Sequence, residues 1–239
     1  MRRSLVFGVV LATGLGCVAC GKSPVRQAPA MSAAGAPAVA ELTADRVGAE
    51  ITAAYQGTSA VHVRATTTEG STTSKVDVQL NKDSAGGTIT QGDATVPVRR
   101  VGGVYYVQMT DSVLKMAGLS PTASPGRLMR NKWVSSESKL GAEVTNNTKE
   151  ALSYEEFISH TAGEITKGTF TAAGKDSVDG VPVLVFKDGD GSTSAVTEAS
   201  PHYLIRATNG TDTLDFSGWD EPVAVTAPAA ADLYSGPGA

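Results

Sequence analysis

The chain has 239 residues, 20 basic and 24 acidic, for a net charge of −4, with 41% hydrophobic and 5% aromatic residues. A weakly acidic chain carries no extended positive field, which argues against a nucleic-acid partner and against whole-molecule attraction to anionic lipid. The only cysteines, Cys17 and Cys20, lie in the first twenty residues, so the rest of the chain forms no disulfide and no thiolate metal site.

Residues 1–19 have the layout of a secretory signal peptide. Arg2 and Arg3 precede the apolar run Leu5 to Ala12, too short to span a bilayer, and small residues follow. Val18-Ala19-Cys20-Gly21 resembles the bacterial lipobox, whose cysteine takes a diacylglycerol and becomes the new N-terminus. Cys20 is the expected lipidation site. Cys17 is its rival, and cleavage without lipid is the plainer alternative. Removing residues 1–19 takes away Arg2 and Arg3, leaving 18 basic against 24 acidic residues, a mature charge of −6. The expected localisation is extracytoplasmic, on the outer face of the cell membrane, held by acyl chains such as palmitate at about 0.8 kcal/mol per buried methylene. The arginine pair leaves general and twin-arginine export equally open.

Residues 20–40 read as a tether of Ala, Pro, Gly and Ser with no periodic apolar residues. As a flexible coil it would span roughly 25 Å. A single domain is expected over 41–228, followed by a disordered Ala/Pro tail over 229–239. Within the domain, Thr43 can cap a helix in which Val47, Ile51, Ala54 and Tyr55 share a face, and Gly57 ends it. From there to about Asp111 the period is two. Val61/Val63/Ala65, Val76/Val78/Leu80, Val96/Val98 and Tyr105/Val107/Met109 alternate with polar residues. Turn signals stand at Glu69-Gly70, Asp83 to Gly87, Gln91-Gly92-Asp93 and Gly102-Gly103. This pattern predicts an antiparallel meander.

An apolar but irregular insert follows. Asp111 looks like the cap of a short helix with Val113, Leu114 and Ala117, closed by Gly118, and Pro121 and Pro125-Gly126 bar further helix. A lid over a cavity and a loose connection both fit residues 111–130. Asn131 to Val134 reads as a strand. Ser153 and Glu156 form a capping box with Leu152 and Phe157 as a staple, starting a helix with the stripe Phe157, Ile158, Ala162, Ile165. Val181 to Phe186 and Ser194 to Thr197 form one hairpin. Asn209-Gly210 as a two-residue turn closes another, setting Ala207 opposite Asp212, Ile205 opposite Leu214 and Tyr203 opposite Phe216. On that register Ile205, Leu214, Tyr203 and Phe216 share the core face.

The order of lipobox, tether, helix, meander, helical insert and further strands is accompanied by Val101-Gly102-Gly103-Val104-Tyr105-Tyr106-Val107, Asn131-Lys132-Trp133-Val134 and Phe216-Ser217-Gly218-Trp219-Asp220-Glu221-Pro222-Val223. Together these segments resemble the actinobacterial LppX/LprG lipoproteins, which share the fold of the LolA/LolB carriers. The resemblance implies an α+β fold: a curved antiparallel sheet, a half-barrel, with helices packed on its concave face. It also implies an apolar cavity that takes an acylated lipid and a role in moving envelope lipids. The residues expected to line that cavity are Val76, Val78, Leu80, Val107, Met109, Leu114, Leu119 and Phe157.

Motifs of catalysis are missing from the sequence: no G-x-S-x-G elbow, no S-x-x-K and no phosphate-cradling loop. His62, His160 and His202 are scattered, and His62 and His202 fall on the polar faces of their strands as surface residues. Asp188 to Ser192 lacks the spacing of a calcium loop and reads as a tight turn. The expected protein is therefore a non-enzyme without cofactor or metal. Its expected partners are the membrane, through the N-terminal diacylglycerol, and a lipid ligand; the sequence names no transporter partner. A surface scaffold or sensor of the same fold, with a filled core, is the alternative.

Overall fold

In the computed structural model, which describes residues 42–165 and 168–239 (the side chains of 147 and 161–165 excepted), the stripe Val47, Ile51, Ala54 and Tyr55 forms the buried side of helix α1 (Val47–Gln56). The signal peptide, Cys20 and the tether lie outside the described residues, as do the side chains of Ala162 and Ile165. The residues Thr43–Ala239 form one compact unit that holds every described helix and strand.

The meander is continuous. Strands β1 (Ala60–Glu69), β2 (Thr72–Asn81), β3 (Ser84–Gln91), β4 (Ala94–Val101) and β5 (Val104–Gln108) each pair antiparallel with the next. Glycine chemistry sets the turns. Gly70 and Gly92 adopt φ +60° and +57° as first residues of two-residue loops, as type II′ turns require, and Gly102-Gly103 supply the two positive φ values of type I′. Asp83 to Gly87 is not one long turn. Only Lys82 and Asp83 form the loop, and Gly86-Gly87 run on inside β3. A Cβ on Gly87 would stand 2.0 Å from the Asp77 carbonyl oxygen, so the glycine permits a close approach of β2.

After β5 the chain builds helix α2 (Asp111–Met116), helix α3 (Gly126–Met129), β6 (Trp133–Ser135), helix α4 (Lys139–Thr145), two 3-10 turns and helix α5 (Tyr154–Ile165). The cap of α2 is Thr110, whose hydroxyl accepts from the Val113 N–H, one residue before the expected Asp111. α3 forms despite Pro125, which serves as its N-cap residue and leaves its interior intact. Ser153 caps α5 through the Glu156 N–H, but the Ser153 N–H donates to Glu150 O, so only half of the capping box is used.

Strands β7 (Thr171–Val178), β8 (Val181–Lys187), β9 (Thr193–Thr197), β10 (Leu204–Asn209) and β11 (Asp212–Ser217) form a second meander, and β11 pairs with β1. The result is one open eleven-stranded antiparallel sheet in the order β6-β5-β4-β3-β2-β1-β11-β10-β9-β8-β7. The expected last hairpin is corrected by two residues. Its loop is Gly210-Thr211, with Gly210 at φ +59° in the position type II′ demands, which sets Ala207 opposite Leu214 and Arg206 opposite Asp215. A bulge at Ile205 then breaks the alternation: Leu204 pairs with Val196 and Arg206 with Ala195. Ile205 therefore packs with Val178, Val183 and Ala195 on the face opposite Leu214.

Helices cover one face of the sheet and the C-terminal segment crosses the other. Phe157 of α5 meets Phe216 at 5.8 Å between ring centroids, and Arg100 donates to the Leu152 and Asn81 carbonyls at 2.8 Å each. On the other face, Val225 covers Gly86, the Thr226 carbonyl accepts from Arg99, and Tyr234 N–H donates to Trp133 O beside a parallel bridge from Leu233. The segment 229–239, expected as a disordered tail, is thus fastened to the sheet. Asn81, 4% exposed, holds the stretch that leads into it: the amide donates to Ser84 Oγ and Val223 O and accepts from the Val223 N–H. Asn81→Leu leaves those groups without partners and should lower stability by about 2–3 kcal/mol in denaturant melts, with a tail newly open to protease.

Candidate functional site

The helix-covered face consists of three cross-strand rows. In the lower row Arg100, Ala85, Leu80 and Val61 stand opposite one another, and in the middle row Val107, Val98, Gly87, Val78, Val63 and Phe216 do so. Of the eight residues expected to line a cavity, Val78, Leu80, Val107, Met109 and Leu114 are 0–1% exposed. Side chains so buried leave no water-sized gap against them; they are packed core. Val76 is 8% exposed, and Leu119 and Phe157 are half-buried. The structure brings Val78, Val107 and, through Phe216, Phe157 to one row, while Leu114 lies on α2 against β4 and Leu119 follows α2 in the insert.

The upper row is different. Val96, Ile89, Val76, Ala65, Leu214 and Ala207 follow one another across β4, β3, β2, β1, β11 and β10. Val76 and Ala65 are buried, and the other four are half-buried. The row is wholly aliphatic. Five inter-strand steps make it about 24 Å long, more than the ~15 Å depth of one acyl leaflet. Above it, beyond Ala94, the face turns polar through Gln91, Ser74 and Thr67. The sequence reading placed Ala65, Val96 and Leu214 on apolar strand faces but put only Val76 of this strip in the cavity lining. The missed signal is symmetry about a turn: Ile89 and Val96 stand equally far from Gly92-Asp93 and so had to face each other on one side.

Below the packed rows, α1 and α5 frame a cleft of about 280 Å³ lined by Thr52, Tyr55, Thr58, Lys82, Tyr154 and Ile158 among others. Tyr55 stacks on Trp219 at 4.7 Å and Trp219 on Tyr203 at 5.5 Å. The Tyr154 and Thr58 hydroxyls bond each other, whereas the Tyr55 hydroxyl is buried without a partner. Burial, with Tyr154 nearby, pushes its pKa well above 10, so it stays protonated. A hydroxyl that bonds nothing contributes only its desolvation cost. Tyr55→Phe should therefore leave stability unchanged or raise it by up to about 1 kcal/mol, read by denaturant melts.

Other polar groups pair locally. His62 Nε2 lies 2.7 Å from Asp77 Oδ1, and Ser217 Oγ lies 3.5 Å from His62 Nδ1. This serine-histidine-aspartate row lies on the exposed face of β1, β2 and β11, with the Asp77 side chain 59% exposed. Water reaches its groups, so it lacks the burial that orients a catalytic triad. His202, expected at the surface, is 7% exposed, and its Nδ1 lies 2.9 Å from the Thr197 carbonyl oxygen. The Asp188 and Asp190 carboxylates accept from backbone N–H groups and the Ser192 hydroxyl within their turn. Among the described residues no three metal-ligating side chains converge, and no helix is long and apolar enough to cross a membrane.

No family model matches the chain, and no curated protein sequence matches it. Among solved structures it is similar to LprF from Mycobacterium bovis, with 15% identity, a TM-score of 0.49, and coverage of 78% of this chain and 97% of that one. It is also similar to the Mycobacterium tuberculosis lipoprotein LppX, with 20% identity, a TM-score of 0.46, and coverage of 77% and 98%.

Proposed function

We propose that this chain is an envelope lipoprotein, anchored through Cys20, that binds the acyl chain of a lipid along the aliphatic strip Val96, Ile89, Val76, Ala65, Leu214 and Ala207. The observation that carries this reading is the contrast between rows: the middle row is packed, while four of the six strip residues are half-buried and none is polar. Water against a continuous aliphatic strip is unfavourable, and an acyl chain removes it at about 0.8 kcal/mol per buried methylene. The earlier lining set shifts accordingly. Val76, Leu119 and Phe157 stay candidates for contact with the ligand, whereas a chain could reach Val78, Leu80, Val107, Met109 and Leu114 only by unpacking the core.

The packed middle row favours a second reading, a scaffold that binds no lipid. One experiment separates the two. The unit Thr43–Ala239, exported behind a cleavable signal in a host making acylated envelope lipids and purified without detergent, is extracted with solvent and analysed by mass spectrometry. The carrier reading expects stoichiometric lipid in wild type and at least about a tenfold loss in Leu214→Trp, whose half-exposed site accepts a larger side chain without unfolding the sheet. Lipid-free wild type would establish the scaffold.

Anchoring is tested separately by metabolic labelling with a fatty acid. Cys20→Ser should abolish label and membrane retention; label kept in Cys20→Ser but lost in Cys17→Ser would move the anchor to Cys17.

A further inference from the structure

The insert between β5 and β6 has a local character opposite to that of the whole chain. Residues 112–136 contain no Asp or Glu and carry Lys115, Arg127, Arg130 and Lys132, in a protein of net charge −4. Two of these cations are occupied: Arg130 forms a bidentate pair with Asp111, and Lys132 Nζ donates to Ala231 O. Lys115 and Arg127 have no ion-pair partner among the described residues. The insert is also tied down by hydrogen bonds and an ion pair. Thr110 and Ser112 hydroxyls donate to the Thr95 carbonyl, Leu119 N–H donates to Leu114 O, and the Asp111–Arg130 pair ties the start of α2 to the end of α3.

Its inward sides are buried through Val113, Leu114 and Met129, yet its outward sides are apolar as well. Met116 is 56% exposed and Leu128 is 52% exposed, two of the four large hydrophobic side chains exposed in the described structure. Each directly follows a cation that forms no ion pair among the described residues, Lys115 before Met116 and Arg127 before Leu128. An apolar side chain beside a cation on a fixed support is the arrangement that enters the boundary between lipid headgroups and acyl chains. The hydrocarbon leaves water there while the cation meets phosphate.

We infer that the α2–α3 insert is a docking tip for an anionic lipid bilayer, with Met116 and Leu128 entering the interface and Lys115 and Arg127 contacting lipid phosphates. Charge complementarity selects this occupant. Asp111 is paired with Arg130, and Asp93 also borders the groove beside Lys115. Residues 112–136 nonetheless carry four cations and no carboxylate on an acidic protein, so this segment is attracted to an anionic surface while the rest of the molecule is held off, which also orients it. The net charge that argues against whole-molecule attraction is thus compatible with a single contact point. The inference goes beyond lipid carriage and does not depend on a bound ligand.

The unit Thr43–Ala239 has neither acyl anchor nor cysteine, so vesicle sedimentation reads the tip alone. Wild type should sediment with vesicles of equal parts phosphatidylcholine and phosphatidylglycerol, and not with pure phosphatidylcholine vesicles. Sedimentation should weaken as salt rises. Lys115→Gln and Arg127→Gln should each weaken binding about fivefold, the equivalent of ~1 kcal/mol per cation near the surface. Met116→Ser with Leu128→Ser should weaken it at least about tenfold. Val181→Ser with Val223→Ser, the other two exposed hydrophobic side chains, should leave it unchanged. Wild type that stays in the supernatant with both vesicles, or tip variants that bind as wild type does, would overturn the inference; a surface used by a protein partner would give the first result. Solvent extraction of the same variants reads lipid carriage separately, so failure of one reading is not failure of the other.

Discussion

The structure depends on the pairing of β1 with β11. Every other strand pair except that of β6 joins sequence neighbours through a loop the local sequence specifies, and β6 returns to β5 after one insert. The register His62–Ser217 to Thr66–Thr213 is the long-range closure, and it joins two meanders that would otherwise each expose an edge. The aromatic cluster stands at this seam. Trp219 stands two residues past the end of β11, stacks between Tyr55 of α1 and Tyr203, and donates its indole N–H to Leu204 O. Phe157 of α5 packs on Phe216, whose partner across the seam is Val63. Helices and sheet therefore lock together where the two meanders meet, and the aliphatic strip crosses from Ala65 to Leu214 only because this register holds.

Polar groups inside the fold complete connections that apolar packing leaves open. Arg100 projects from β4 on the helix-covered side, where a charge would be costly, and donates to the Leu152, Asn81 and Lys82 carbonyls, groups that the irregular connections leave unpaired. Asn81 does the same toward the other face for Val223. These two residues join three layers, the 3-10 turn before α5, the sheet and the C-terminal segment, at one corner.

Much of the fold was legible because local chemistry and burial agree. The stripe of α1, the alternation in β1 and β2 and the loops at Gly70, Gly92 and Gly102-Gly103 each have a single solution. The errors fall where the signals separate. Asn209-Gly210 and Gly210-Thr211 are both acceptable two-residue loops, and the bulge at Ile205 lets the buried Leu204 share a face with the half-buried Leu214 on a register that strict alternation forbids. β7 buries only Val178, so it shows no apolar period to read. The Ala/Pro segment after Val225 looked loose because its attachment uses backbone groups, which composition does not reveal. For the site, burial was legible but its completeness was not: Val78 and Val76 look identical in sequence, and only the position of the helical layer separates a packed residue from one at the edge of an open strip.

That edge also gives the insert a place in the same geometry. Val96, the β4 end of the strip, is bonded in sequence to Thr95, whose carbonyl accepts from Thr110 and Ser112 at the start of the insert. Beside them a groove of about 960 Å³ runs between the turns at Thr72 and Gly92 and the Lys115-Met116 corner of α2. A bilayer contacted by Met116 would thus lie against the end of the face where the aliphatic row gives way to polar rim residues, and a lipid passing between the two would cross only that rim. The opposite end offers no such path, because Leu80, Ala85 and Val61 are sealed at 0–1% exposure. On the proposed carrier reading, this contrast between Leu80, Ala85 and Val61, which are closed over, and the half-buried strip would give transfer a direction.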